Sequence, residues 1–166
     1  MKTFDIVAAT DKYKGSLHEF YLDVRGWRKF KTRYRLDWES LPFEDASQAK
    51  LPQEPGIYAF TIEVKQAKLP GHGYIMYVGK AGDLSDNTLR KRFSKYRSDL
   101  RRERGRPKVL YMMKKWRGDL VFNYASLGGK TVDLKKLEEA FINAVRPPIN
   151  IMDFEAEVSA VRRAAF

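Results

Sequence analysis

The chain reads as an α+β domain: a small three-stranded antiparallel sheet with flanking helices, preceded by an N-terminal extension. Three observations predict this. From Gly56 onward, runs of strand length alternate with segments of helical spacing, in the order strand, strand, helix, helix, strand, helix. Gly, Pro, Asp and Thr fall at the junctions, where turns and helix caps need them. At 166 residues the chain is long enough to enclose one hydrophobic core.

The first 54 residues read as a basic, aromatic extension and linker, with a short strand near Phe4 to Ala9 and a helix from about Ser16 into the basic cluster. The stretch 37–55 is acidic and carries three prolines, as a linker would. The core domain spans 55–152. "GIYAFTIEV" (56–64) is β-branched and aromatic and forms its first strand. "KQAKLPGHG" (65–73) is a loop, and "YIMYVGK" (74–80) is the second strand of a hairpin, with the chain turning at Gly79. "DLSDNT" (83–88) offers N-caps for a helix that places Leu89, Phe93, Tyr96 and Leu100 on one face. Residues 107–116 form a second helix and 120–127 a third strand. Asp133 caps a helix from Leu134 to Val145 that Pro147-Pro148 ends, and 153–166 reads as a C-terminal helix.

Composition narrows the function. No apolar run reaches the roughly 20 residues a membrane helix requires. The absence of Cys excludes disulfides and Cys-based zinc sites and suits a cytoplasmic protein. With only His18 and His72, there is little material for zinc centres or His-centred catalysis, and no phosphate-loop motif occurs. The net charge of +11 points to an anionic polymer, with nucleic acid first and a membrane surface the weaker alternative. The cations are clustered. Arg28, Lys29, Lys31 and Arg33 alternate with Trp27, Phe30 and Tyr34, aromatics that could stack bases or pack on the core. A second run includes Arg90, Lys91, Arg92, Lys95, Arg97, Arg101 and Arg102, opposed only by Asp99 and Glu103. Such one-signed runs suit phosphate contact. Glu63-Val64-Lys65 with Asp45 upstream resembles the acidic core of restriction-type nucleases, but alternation on an exposed strand explains the tripeptide equally.

One residue breaks its helix pattern. On a helical wheel Leu134, Leu137, Ala140, Phe141, Ala144 and Val145 share an arc, with Ile142 at its edge. Glu138 falls inside that arc, whereas Glu139 faces solvent. A carboxylate turned toward a core must be paired, protonated or bound to a metal. Arg92 likewise sits beside the apolar face of its helix.

Four segments in order, "PGIY" (55–58), "YVGKA" (77–81), "LRKRF" (89–93) and "LEEAFINAVRPPIN" (137–150), resemble the GIY-YIG nuclease family. The resemblance covers the core and leaves the extension and tail outside it. It implies that Tyr58 and Tyr77 lie on neighbouring strands, that Arg92 is the phosphate-gripping Arg, with Arg90 as the fallback, and that Glu138 holds a single Mg²⁺, or Mn²⁺ in its place. It also implies roles for Lys80 and Asn150, with Gly79 giving the substrate room. Tyr58 is favoured as the base and Tyr77 as the orienting group, the reverse being the other option. The cations beside each phenol are expected to lower its pKa. Valine in Tyr77-Val78-Gly79 and Tyr96 in place of a family His are departures. The implied activity is a metal-dependent endonuclease acting on DNA. The alternatives are a non-catalytic binding module and an RNA-directed nuclease.

Overall fold

A computed structural model describes residues 5–65, 68–82, 87–129 and 131–150. Four antiparallel strands form one sheet in the order β1-β4-β2-β3: β1 (Trp38–Pro42), β2 (Gly56–Val64), β3 (His72–Ala81) and β4 (Leu120–Ser126). The helices are α1 (Ile6–Ser16), α2 (Val24–Lys29), α3 (Leu89–Arg102), α4 (Pro107–Lys115) and α5 (Leu134–Val145). Among the described residues no helix is long and apolar enough to cross a membrane.

Strand alternation divides the core in two. Tyr58, Phe60, Tyr77 and Phe122 face α3 and α4 together with Leu89, Phe93, Tyr96 and Met112. Ile57, Ala59, Val78 and Ala125 face the opposite way, onto Leu137, Phe141, Ile142 and Val145 of α5. Each main helix starts where its chemistry allows. Thr88 accepts from the Lys91 amide at the start of α3, Pro107 opens α4, and Asp133 accepts from the Lys136 amide at the start of α5.

The α+β class holds, but the sheet has four strands rather than three. The extra strand lies in the supposed linker. Trp38 to Pro42 pair with β4 from Ala125 to Val121, and side chains reinforce the ladder. Ser40 donates to the Asn123 side chain at 2.6 Å and Tyr124 donates to Glu39 at 2.9 Å. The polar sequence is that of an exposed edge strand, which alternation alone does not reveal. Downstream, a 3-10 turn at Asp45–Lys50 leads to Leu51, which is fully buried. This stretch is therefore part of the folded unit.

The extension also departs from expectation. Residues 6–9 are helical, because Asp5 caps the Val7 and Ala8 amides, and Phe4 lies outside the described residues. No helix runs from Ser16. The chain stays extended until Asp23 caps α2. Phe30 and Tyr34 pack against the α5 side of the core, and Asp23 pairs with Arg146 at 3.3 Å. The strand β3 does not turn at Gly79; it continues to Ala81 and is followed by Gly82, whose φ of 122° suits glycine. Ala140 is exposed rather than packed, and the expected helix at 153–166 lies outside the described residues.

Beyond α5 the chain returns to the outer edge of β3. The Ile149 amide donates to the Met76 carbonyl at 3.1 Å. Asn150, fully buried, accepts from the Val78 amide at 2.8 Å and donates to the Val78 carbonyl at 2.9 Å. One side chain thus occupies both main-chain groups that an edge strand leaves over. Asn150→Ala should destabilise the fold by roughly 2–4 kcal/mol, because two buried backbone groups lose their partner. Urea unfolding of the two proteins measures this, and an unchanged midpoint would remove the edge-clamp role.

Candidate active site

A cleft of about 510 Å³ opens where α5, on one side of the sheet, and α3 with the start of α4, on the other, overhang β3. Tyr77 and Lys80 reach it from β3, Arg92, Lys95 and Tyr96 from α3, Arg106 from the turn into α4, and Glu138 from α5. Lys135 and Arg104 add further positive charge at its border.

The register of the hairpin builds its inner wall. Tyr58 on β2 stands directly opposite Gly79 on β3. A Cβ at position 79 would lie 2.5 Å from Tyr58 Cζ and 2.9 Å from Cε2, so only glycine lets the phenol ring cross the neighbouring strand. The ring stacks on Phe122 with centroids 5.1 Å apart. Its hydroxyl shares a 2.8 Å hydrogen bond with Tyr96 and accepts from Arg92 Nε at 3.2 Å. Tyr77 lies nearby, its ring 6.4 Å from that of Tyr96. Arg106 donates to the Tyr77 hydroxyl and sets its guanidinium 5.1 Å from the Tyr77 ring centroid. Three phenols are thus bracketed by two guanidinium groups.

Burial dominates the electrostatics. It pushes the Tyr58 phenol up, and Tyr77 adds to that, outweighing the downward pull of Arg92 and of the hydrogen bond shared with Tyr96. It likewise raises Tyr77, with Tyr96 adding and Arg106 opposing. Tyr96 is raised by burial and then by Tyr58. Burial works to lower Arg92, but the neighbouring phenols overcome it and hold the guanidinium firmly charged. The expectation that adjacent cations would depress the tyrosine pKa values is therefore reversed: desolvation of the phenolate costs more than the guanidinium groups return.

The structure brings Tyr77, Lys80, Arg92, Lys95 and Glu138 to one cleft and leaves other candidates apart from it. Tyr58 has no exposed surface and lies beneath Arg92 and Tyr96, so it supports the site without facing the cleft. Asn150 holds Val78. Gly79 makes room for Tyr58 and does not line the cleft. Arg90 donates to the Leu51 carbonyl at 2.6 Å and the Ala49 carbonyl at 3.1 Å, which ties the 3-10 turn to α3; Arg92, and not Arg90, lines the cleft.

The proposed phosphate-contacting cations also divide. Arg97, with 15% of its side chain exposed, bonds Asp45 and the Phe43 carbonyl and is a structural residue. Arg101 shares Asp45 at 3.0 Å. Lys95 borders the cleft and pairs with Asp99 at 2.7 Å. Lys91 and Arg102 are exposed on α3, and Arg28, Lys29, Lys31 and Arg33 are exposed beside α2. Glu63 pairs with Lys65 and Asp45 with Arg97, so the restriction-type grouping does not form. Sequence reasoning placed Arg106 in the basic run from Arg90 to Arg117 but gave it no role in the site. Nothing separates it from the other cations of its run except the following Pro107, which makes it the residue before a helix.

Glu138 is half-buried at the cleft and Glu139 exposed at its rim. Among the described residues no group of three or more His, Cys, Asp or Glu gathers. A divalent ion at this cleft would find carboxylate oxygen at Glu138, among cations, and would keep most of its water.

Gly79→Ala should cost about 2 kcal/mol by driving a methyl group into the Tyr58 ring, and should loosen Arg92 with it. Thermal unfolding checks the first effect. The raised phenols also predict the alkaline behaviour. Their folded pKa values lie above the ordinary 10.0. Their contribution to stability is therefore complete below about pH 10 and is lost as pH rises toward the folded values. Ultraviolet titration should show phenols that ionise only as the protein unfolds. No family model matches this chain, and no curated protein or solved structure significantly matches it.

Proposed function

We propose that this chain is a divalent-metal-dependent endonuclease that hydrolyses phosphodiester bonds in DNA. One observation carries the reading: Tyr77, Lys80, Arg92 and Glu138, contributed by a strand and two helices on opposite sides of the sheet, border the same cleft. The motif order that resembles the GIY-YIG family supports it from the sequence side.

Arg92 is the phosphate clamp. Its Nε is engaged by Tyr58, which leaves the outer nitrogens of the fork for a non-bridging phosphate oxygen. Tyr58 and Tyr96 hold that fork in place. Tyr77, rather than Tyr58, is the phenol that borders the cleft, and Arg106 fixes its hydroxyl. In this role Tyr77 orients the attacking water through a hydrogen bond. Lys80 adds charge where the leaving oxygen develops its own. Glu138 would hold the metal ion. A hard divalent cation there supplies charge stabilisation for the phosphate and polarises water.

Purified protein should nick DNA in Mg²⁺, and Mn²⁺ should substitute for it. Glu138→Gln should lower cutting by about 10²-fold or more while strand binding without metal persists. Arg92→Lys should lose activity on a similar scale, since a point charge does not replace the fork. Cleavage unchanged in Glu138→Gln would overturn the site. Salt-sensitive binding without cleavage under any divalent ion would favour a binding module, and matched single-stranded, duplex and RNA substrates compare the polymers.

A further inference from the structure

On the α5 side of the sheet, away from the cleft, lies a second pocket of about 320 Å³. Its lining sets the aromatic rings of Trp27, Phe30, Trp38 and Phe141 among aliphatic side chains such as Leu36, Ile75 and Val145. Phe30 packs on Phe141 with centroids 5.5 Å apart, and Trp38 meets Phe141 edge-on at 5.6 Å. Trp27 completes the rim. Trp27 and Trp38 remain 43% and 40% exposed, so neither ring is consumed by the core. Half-exposed tryptophan at a preformed pocket leaves aromatic surface available to a ligand.

The pocket contains one polar pair. Asn123 Nδ2 donates to Thr61 Oγ1 at 2.8 Å, and its Oδ1 accepts from Ser40. A side-chain amide has two donors and two acceptor lone pairs, so one of each is left to meet a ligand edge. Close to Trp27 along the chain, Arg28, Lys29, Lys31 and Arg33 are exposed. A flat group with hydrogen-bonding edges, attached to a polyanion, matches all three features.

We infer that the pocket between Trp27 and Trp38 captures a single unstacked nucleobase, while the adjoining cations hold the flanking phosphates of a single-stranded segment. A base inside a duplex has its faces covered by its neighbours and cannot enter. A single strand offers both its face and its edge. The inference shares the nucleic-acid partner of the proposed function but not its catalysis, and places a strand-reading site outside the cleft.

The test is tryptophan emission of the full chain carrying Trp116→Phe, so that Trp27 and Trp38 report, in chelator without divalent metal. A ten-residue deoxythymidine strand should quench the emission. An abasic strand of equal length and charge should not. Trp27→Ala and Trp38→Ala should each weaken binding about tenfold, the scale of one lost base stack, and Trp27→Phe should retain most of it. Circular dichroism confirms that the variants fold. Equal quenching by the abasic strand, or unchanged affinity in both alanine variants, would overturn the inference and leave the proposed function standing. Emission that changes with protein concentration alone, and no longer does so in Trp27→Ala, would assign the pocket to a second copy of the chain and overturn it too. Failure to bind either strand would overturn the inference, while the proposed function is judged separately by cleavage with Mg²⁺.

Discussion

The ring of Tyr58 lying across Gly79 links the sheet to the cleft. A phenol that crosses a neighbouring strand needs a position without Cβ opposite it, and the pairing of β2 with β3 supplies one. From there the hydroxyl reaches Tyr96 and Arg92, joining α3 to the sheet by polar contacts within an otherwise apolar layer. Such contacts are strong because water is excluded, and costly to leave incomplete for the same reason. Tyr77 and Arg106 extend the arrangement to the start of α4. The position of the cleft guanidinium groups thus depends on a backbone register.

A second constraint acts at the sheet margin. The strand β3 is an edge, and the chain after α5 comes back to cover it through Ile149 and Asn150. That return ties the C-terminal end of α5 to the strand that carries Tyr77 and Lys80. Glu138, two turns earlier on the same helix, is held over the cleft as a consequence. Asn150 serves the site through the backbone it occupies, without lying in the cleft.

The cations show why charge in a sequence is an incomplete guide. Arg90 and Arg97 lie in the same one-signed run as Arg92, yet both spend their forks on main-chain carbonyls and Asp45 inside the molecule. Arg106 was indistinguishable from its neighbours and proves to hold Tyr77. The extension behaves similarly. Phe30 and Tyr34 pack on the core, whereas Trp27 stays half-open. Identical residue types within a few positions take opposite roles because each role depends on what lies across from it in space.

By itself, the sequence determined the local elements. The hydrophobic periods, caps and prolines that define β2, α3, α4 and α5 are contained in short windows, and the inward slant of Glu138 follows from the pitch of its own helix. Tertiary structure decided what depends on partners distant in the chain. The polar strand at Trp38 exists only because β4 offers it an edge. Gly79 reads as a turn until Tyr58 is placed against it. The phenols read as acidified by nearby cations until burial is counted, and burial is a property of the whole packed layer, not of any neighbour along the chain.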